Sequence, residues 1–194
     1  MKVVFVSNYF NHHQSAFAEA MDRETKGNFV FIQTIPMDKE RKNMGWNIDN
    51  FPSYVKKIYE SDTARKECEE LILSADVVII GSAPNALIIE RIKQHKLVFR
   101  YSERIYKGKW QILQLPLRAA KYHFENRFSR NIYMLAASAY AAADYAKTGN
   151  YIERCYKWGY FPKTVTYNID SLISKKNPNS ILWAGRLIDW KHPE

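Results

Sequence analysis

Cysteine is almost missing from this chain. Cys68 and Cys155 are its only two, too few and too isolated for a disulfide framework, and Cys68 falls in a helical pattern where a small core residue fits. Glycine and proline number seven each, which excludes a long flexible linker. No apolar run approaches the length of a bilayer-crossing helix. The opening MKVVFVSNYF is too short in its apolar part for a signal peptide and suits a first strand. Together these absences point to a reducing, cytoplasmic setting. Acidic residues are scarce in one stretch: between Arg91 and Arg130 only Glu103 and Glu125 face eleven lysines and arginines. That stretch accounts for the whole net charge of +9, and such a field attracts anionic membrane, phosphorylated substrate or nucleic acid.

What is present is an ordinary globular balance. The chain has 194 residues, 46% of them hydrophobic and 25% charged, enough for one well-buried domain and a little more. Thirteen tyrosines lead a high aromatic content of 14%. Short apolar runs alternate with helical patterns. Strands are expected at Lys2 to Ser7, Asn28 to Ile35, Tyr54 to Tyr59, Ala75 to Ser82, Lys96 to Tyr101, Ile132 to Ala137 and Arg154 to Tyr160. Helices are expected at Gln14 to Glu24, Thr63 to Leu73, Asn85 to Gln94 and Ala139 to Lys147, with a long one from Trp110 to Arg130 interrupted or kinked near Pro116. Pro36 to Phe51 reads as irregular. No internal repeat or low-complexity segment stands out. The alternation predicts a doubly wound α/β domain, Rossmann-like, with a mainly parallel sheet flanked by helices.

In such sheets ligands bind beyond the carboxyl ends of the strands. The rule selects the turns Ser7-Asn8-Tyr9, Gly81 to Asn85, Ser102-Glu103-Arg104 and Ser138-Ala139. They are rich in hydroxyls and amides, and the first lacks the Gly-x-Gly-x-x-Gly of a dinucleotide site. A polyhydroxylated ligand suits them better, because these groups both donate and accept hydrogen bonds. His12 and His13 stand between the first strand and first helix. One of them contacts a hydroxyl or phosphate or acts as a base, or else the pair simply packs the start of the helix. Adjacent histidines lack the spacing of a chelating pair, so no metal is expected. Trp46 and Phe51 either stack on a sugar ring or pin their loop.

The chain ends in SILWAGRLIDWKHPE, where a strand over Ser180 to Ala184, a Gly-Arg turn and a following lysine suggest a new strand-loop-helix unit. "ILWAGRLIDWK" resembles the opening of the second domain of retaining glycosyltransferases with the GT-B fold, particularly family 4. "VVFVSNYFNHHQSAFAEAM" and "MLAASAYAAADYAKTG" are similar to the first and closing segments of the acceptor half in polysaccharide-assembly members. The resemblance implies an acceptor-side domain at 1–178 and the start of a nucleotide-sugar domain at 179–194. By this resemblance Arg186 and Lys191 bind the donor diphosphate, and Asn11, His12, His13, Ser82, Ser102, Glu103 and Arg104 face the acceptor, with His13 and Glu103 as candidate catalytic groups. Many members carry a histidine after the fifth strand, where this chain has Ser102-Glu103-Arg104; Glu103 either orients an acceptor hydroxyl instead or pairs with a neighbouring arginine. The family's acidic pair on the nucleotide-sugar is not within these residues, so the parent is expected to be an enzyme and this chain alone to be inactive. The nucleotide-sugar is a substrate, and no cofactor is implied.

Trp110 to Arg130 interleaves aromatic and aliphatic residues with arginine and lysine. A basic amphipathic helix of this kind suits an anionic bilayer surface and a lipid-linked acceptor at the inner membrane face, or it is a core helix with solvated charges. Two other classes fit less well: a non-catalytic carbohydrate- or partner-binding domain, and a basic nucleic-acid-binding domain, for which no binding motif is present.

Overall fold

The computed structural model describes residues 1–46 and 48–183. They divide into a larger unit, Met1–Lys163, and a smaller one beginning at Thr164; the expected boundary at 178/179 lies inside the smaller unit. In the larger unit seven strands form one sheet: β1 (Val3–Ser7), β2 (Phe29–Gln33), β3 (Val55–Lys57), β4 (Val77–Ile80), β5 (Val98–Ser102), β6 (Ile132–Ala136) and β7 (Cys155–Lys157). Their order is β3-β2-β1-β4-β5-β6-β7, and every pairing is parallel. This is the doubly wound, Rossmann-like arrangement, and it turns direction between β1 and β4. Strands buried on both faces need apolar residues at successive positions, which is why Val3, Val4, Phe5 and Val6 are all buried.

The two faces carry different cores. On one, Val4, Val6, Val78 and Ile80 pack with Cys68, Ile72, Ile88 and Ile92, from α3 (Asp62–Ser74), a 3-10 turn over Asn85–Ile88 and α4 (Ile89–Lys93). Burial there pushes the Cys68 thiol up to about 11, so it is an inert packing group. On the other face Phe5, Phe29 and Phe31 join Ala18 and Phe17 of α1 (His12–Glu24). The Phe5 and Phe31 rings stack with centroids 5.1 Å apart. Truncating one such ring to alanine costs about 3–5 kcal/mol.

Several expected boundaries change. The edge strands β3 and β7 are three residues each, because pairing on one side only leaves their ends without a ladder. The long basic helix is two pieces, a 3-10 stretch over Lys109–Gln114 and α5 (Leu115–Asn126), with a proline in the first turn of α5. Of the two alternatives at Pro116 the structure has the interruption, with the proline starting a new helix and not kinking one: at that position its missing N–H has no partner to lose. The segment expected to be irregular holds a one-turn helix, α2 (Lys39–Arg41), and a wider turn over Lys42–Trp46 in which Gly45 sits at φ 77°. A short α6 (Ala141–Ala146) precedes β7.

In the smaller unit Asn168 caps α7 (Ile169–Ser174), its side chain accepting from the Ser171 N–H at 2.8 Å. The strand expected over Ser180 to Ala184 is not formed over Ser180–Trp183, which pair with no neighbour among the described residues. Ser180 instead closes a turn, its N–H donating to the Asn177 carbonyl at 3.2 Å. Ala184, Arg186 and Lys191 lie outside the described residues.

Candidate functional site

A cavity of about 390 Å³ opens at the carboxyl end of the sheet, where the strand order reverses. Its floor is Ser7 at the end of β1 and Ser82 just past β4, and Tyr101 of β5 stands beside them. The strands meet closely there. A Cβ on Gly81 would lie 3.1 Å from the Tyr101 ring and 3.2 Å from the Ser7 hydroxyl oxygen, so glycine lets β4 leave the sheet without displacing either wall. The β1–α1 turn is held from within. Asn8 accepts from the Tyr9 N–H at 2.9 Å, the buried Gln33 accepts from the Phe10 N–H at 3.1 Å, and Asn11 caps α1 by accepting from the His13 N–H at 2.9 Å. Phe10 is buried beneath the turn, and Asn11 satisfies one of the free N–H groups at the start of α1.

The far wall is aromatic. Trp46 meets the rings of His12 and His13 edge-on at 5.1 and 5.3 Å, and the Arg41 guanidinium lies 4.6 Å above Trp46. Asp38 positions that arginine: it caps α2 through the Arg41 N–H at 2.8 Å and accepts from the Tyr9 hydroxyl at 2.9 Å. The Arg41 N–H and then the Tyr9 hydroxyl hold the Asp38 carboxyl below its ordinary range. Opposite, Tyr160 packs 5.2 Å from His13 and donates to Glu103, whose other oxygen accepts from Lys107 at 2.6 Å. Lys107 first, then Tyr160, keep Glu103 ionised below the usual carboxylate range. Burial, followed by the charge of His12, holds His13 below its ordinary value. At neutral pH His13 is therefore a neutral imidazole, able to donate one hydrogen bond and accept another.

Of the residues singled out in the sequence, Ser7, Asn8, Tyr9, Asn11, His13, Trp46 and Ser82 line this cavity together. His12 stands behind, with its ring 4.0 Å from that of His13. Glu103 reaches the cavity only through Tyr160. Ser102 and Arg104 point elsewhere: Ser102 accepts from the Tyr145 hydroxyl at 2.8 Å, and Arg104 donates to the buried Asp144 at 3.2 Å. Phe51 lies against Phe10 in the core, ring centroids 6.3 Å apart. Gln14, Arg41, Tyr101 and Tyr160 complete the lining and were not singled out. Tyr101 and Tyr160 read as strand residues, and only their place at the end of a strand pattern hinted at a wall. No acidic side chain is among the described lining residues, and among the described residues no group of three or more histidines, cysteines or acids could hold a metal.

A larger groove of about 630 Å³ runs between α3 and the Pro84–Arg91 stretch. It lies on a helical surface of mixed charge, with Arg65, Lys66, Glu69, Glu70 and Glu90 around Ile72, Leu73 and Leu87. Compared with protein-family models and with curated proteins, the chain matches none.

Proposed function

We propose that the larger unit is the acceptor-side half of a retaining glycosyltransferase, and that the cavity at the switch point receives the sugar acceptor. The observation that carries the reading is the lining itself: aromatic walls from Trp46, Tyr101 and Tyr160 around amides and hydroxyls of Asn8, Asn11, Gln14, Ser7 and Ser82. Ring faces suit the C–H face of a sugar, and amides and hydroxyls suit its hydroxyls. In this reading a neutral His13 accepts a hydrogen bond from the acceptor hydroxyl and orients its lone pair toward the anomeric carbon. The sugar moves from a nucleotide diphosphate to that hydroxyl with retention. Arg186 and Lys191 stabilise the charge growing on the departing diphosphate, within a nucleotide-sugar domain that the larger unit does not contain. The larger unit alone binds acceptor and turns nothing over. A position at the inner face of a membrane belongs to the same proposal.

A binding-only carbohydrate domain is the second reading, favoured by the acid-free lining. Saturation-transfer NMR with neutral oligosaccharides tests the common ground. Transfer to sugar protons that Trp46→Ala abolishes supports both, whereas a cavity that takes mononucleotides and no saccharide refutes both. Sugar transfer from a nucleotide-sugar by a chain that includes a donor domain, lost in His13→Ala and kept in the binding of acceptor, separates the enzyme from the binder.

A further inference from the structure

The 3-10 stretch and α5 leave an apolar row in solvent. Trp110 is 81% exposed, Leu113 70%, Leu117 75% and Phe124 64%. Leu113, Leu117 and Phe124 recur at the spacing of one helical face, while Leu115, Ala119 and Tyr122 turn toward the protein. Core packing therefore does not explain the row, and contiguous exposed apolar surface of this kind marks an interaction site. The charges along it have one sign. Lys121 projects between Leu117 and Phe124, its side chain 62% exposed. Arg127 lies over the rings of Phe124 and Phe128, at 3.5 and 4.1 Å. The only acid on these two helical pieces, Glu125, is turned inward, with Arg100 and Lys121 at 3.8 and 3.9 Å.

We infer that this row is the face by which the protein docks on an anionic bilayer, with Trp110, Leu113, Leu117 and Phe124 entering the headgroup–acyl boundary and Lys121 and Arg127 reaching the phosphates. Same-sign flanks oppose a second copy laid face to face. Trp110 and Phe124 each present a ring, but Leu113 and Leu117 between them do not, so the row is no continuous stacking platform for a single strand of nucleic acid. A bilayer satisfies both halves of the surface, because a helix lying in the interface buries its apolar side while its basic side chains extend to the lipid phosphates. Among the described residues no helix is long and apolar enough to cross a membrane, so this contact is superficial. The inference extends the membrane-side part of the proposed function and is independent of its chemistry.

Co-flotation of the full chain tests it, using vesicles of phosphatidylcholine alone and vesicles rich in phosphatidylglycerol, with tryptophan fluorescence recorded alongside. The chain is expected to float only with the anionic vesicles, with a blue-shifted emission. Each of Leu113→Ser and Leu117→Ser should weaken retention about tenfold, and each of Lys121→Gln and Arg127→Gln about fivefold. All four sites are at the surface, and circular dichroism of the variants checks that the fold is kept. Leucine variants that bind vesicles as well as the parent would overturn the inference, since charge alone would then account for adsorption. So would stronger binding to mixed oligonucleotides than to vesicles, or a self-association in sedimentation that Leu117→Ser removes without any vesicle retention in the parent. Saccharide binding in the cavity is read separately, so failure of one proposal does not imply failure of the other.

Discussion

Arg91→Met should destabilise the larger unit more than any surface substitution. Arg91 is 1% exposed, and its guanidinium acts as a clamp on backbone carbonyls. It donates to Ile72 at 3.1 Å, Ala75 at 2.6 Å, Asp76 at 2.8 Å and Leu97 at 2.9 Å. The end of α3 and the starts of β4 and β5 are thereby tied to one side chain, which supplies the donors that a helix terminus lacks. Burial lowers the Arg91 pKa, yet a guanidinium remains charged throughout the accessible range. Methionine keeps the aliphatic stem and removes every donor. Each orphaned buried carbonyl costs about 1–3 kcal/mol; relief of the guanidinium's own desolvation offsets part of the sum. The net loss is about 3–5 kcal/mol, the range for breaking a buried charged network. For a unit of this size that lowers Tm by roughly 10 °C. Thermal and urea unfolding followed by circular dichroism measure it, with Lys96→Met as the control. Lys96 gives a single bond, to the Leu73 carbonyl at 2.8 Å, worth about 1 kcal/mol. If Arg91→Met stays within about 1 kcal/mol of the parent, the clamp argument is wrong.

Three further outcomes are expected. His13 titrates below its ordinary value, so as pH falls the unfolded chain binds that proton first; stability should decline below about pH 6.5 and level off once folded His13 is protonated. His13→Gln should flatten that slope, and imidazole NMR shifts should show the titration itself. Glu103 titrates low, so its contribution is present above its unfolded value and lost as pH falls through the folded one. Tyr160→Phe should raise the Glu103 titration seen by carboxyl NMR and cost no more than about 1 kcal/mol at this part-exposed site. Gly81→Ala should cost about 1–3 kcal/mol by overpacking against Tyr101 and Ser7, and should also cut saccharide binding, because the added methyl displaces two walls of the cavity; unchanged stability and binding in calorimetry would contradict the close approach.

The centre of the fold was the legible part. VVFVS and the Val78-Ile79-Ile80 core of β4 are buried, and a run of β-branched residues allows little else. The edges were harder: Tyr54 and Trp158 carry strand-forming side chains, but the pairing that would extend β3 and β7 is missing on one side. Pro116 was ambiguous because proline both interrupts and begins helices, and what lies before it decides which. At the cavity, the turn rule found Ser7, Asn8, Tyr9 and Ser82, which end or follow strands, and the place of Asn11 and His13 at the start of the first helix marked them as well. It could not find Arg41 and Tyr160, which arrive from segments distant in sequence. Nor could it separate Ser102 from its neighbours, since the direction of a side chain at a strand end depends on the register of the whole sheet.

The stretch after β7 has a mechanical consequence. From the sheet's edge it doubles back over α1, where Trp158 and Phe161 pack on Phe17 with ring centroids 5.1 and 5.7 Å apart, and Tyr160 becomes a wall of the cavity. Three residues, about 11 Å of extended chain at most, separate that wall from Thr164, where the smaller unit begins. A tug on the backbone beyond Lys163 has little slack to take up before it reaches the ring against His13. Tyr160 thus closes the cavity and ends the packed part of the chain at once, so the shape of that wall depends on how the backbone leaves it.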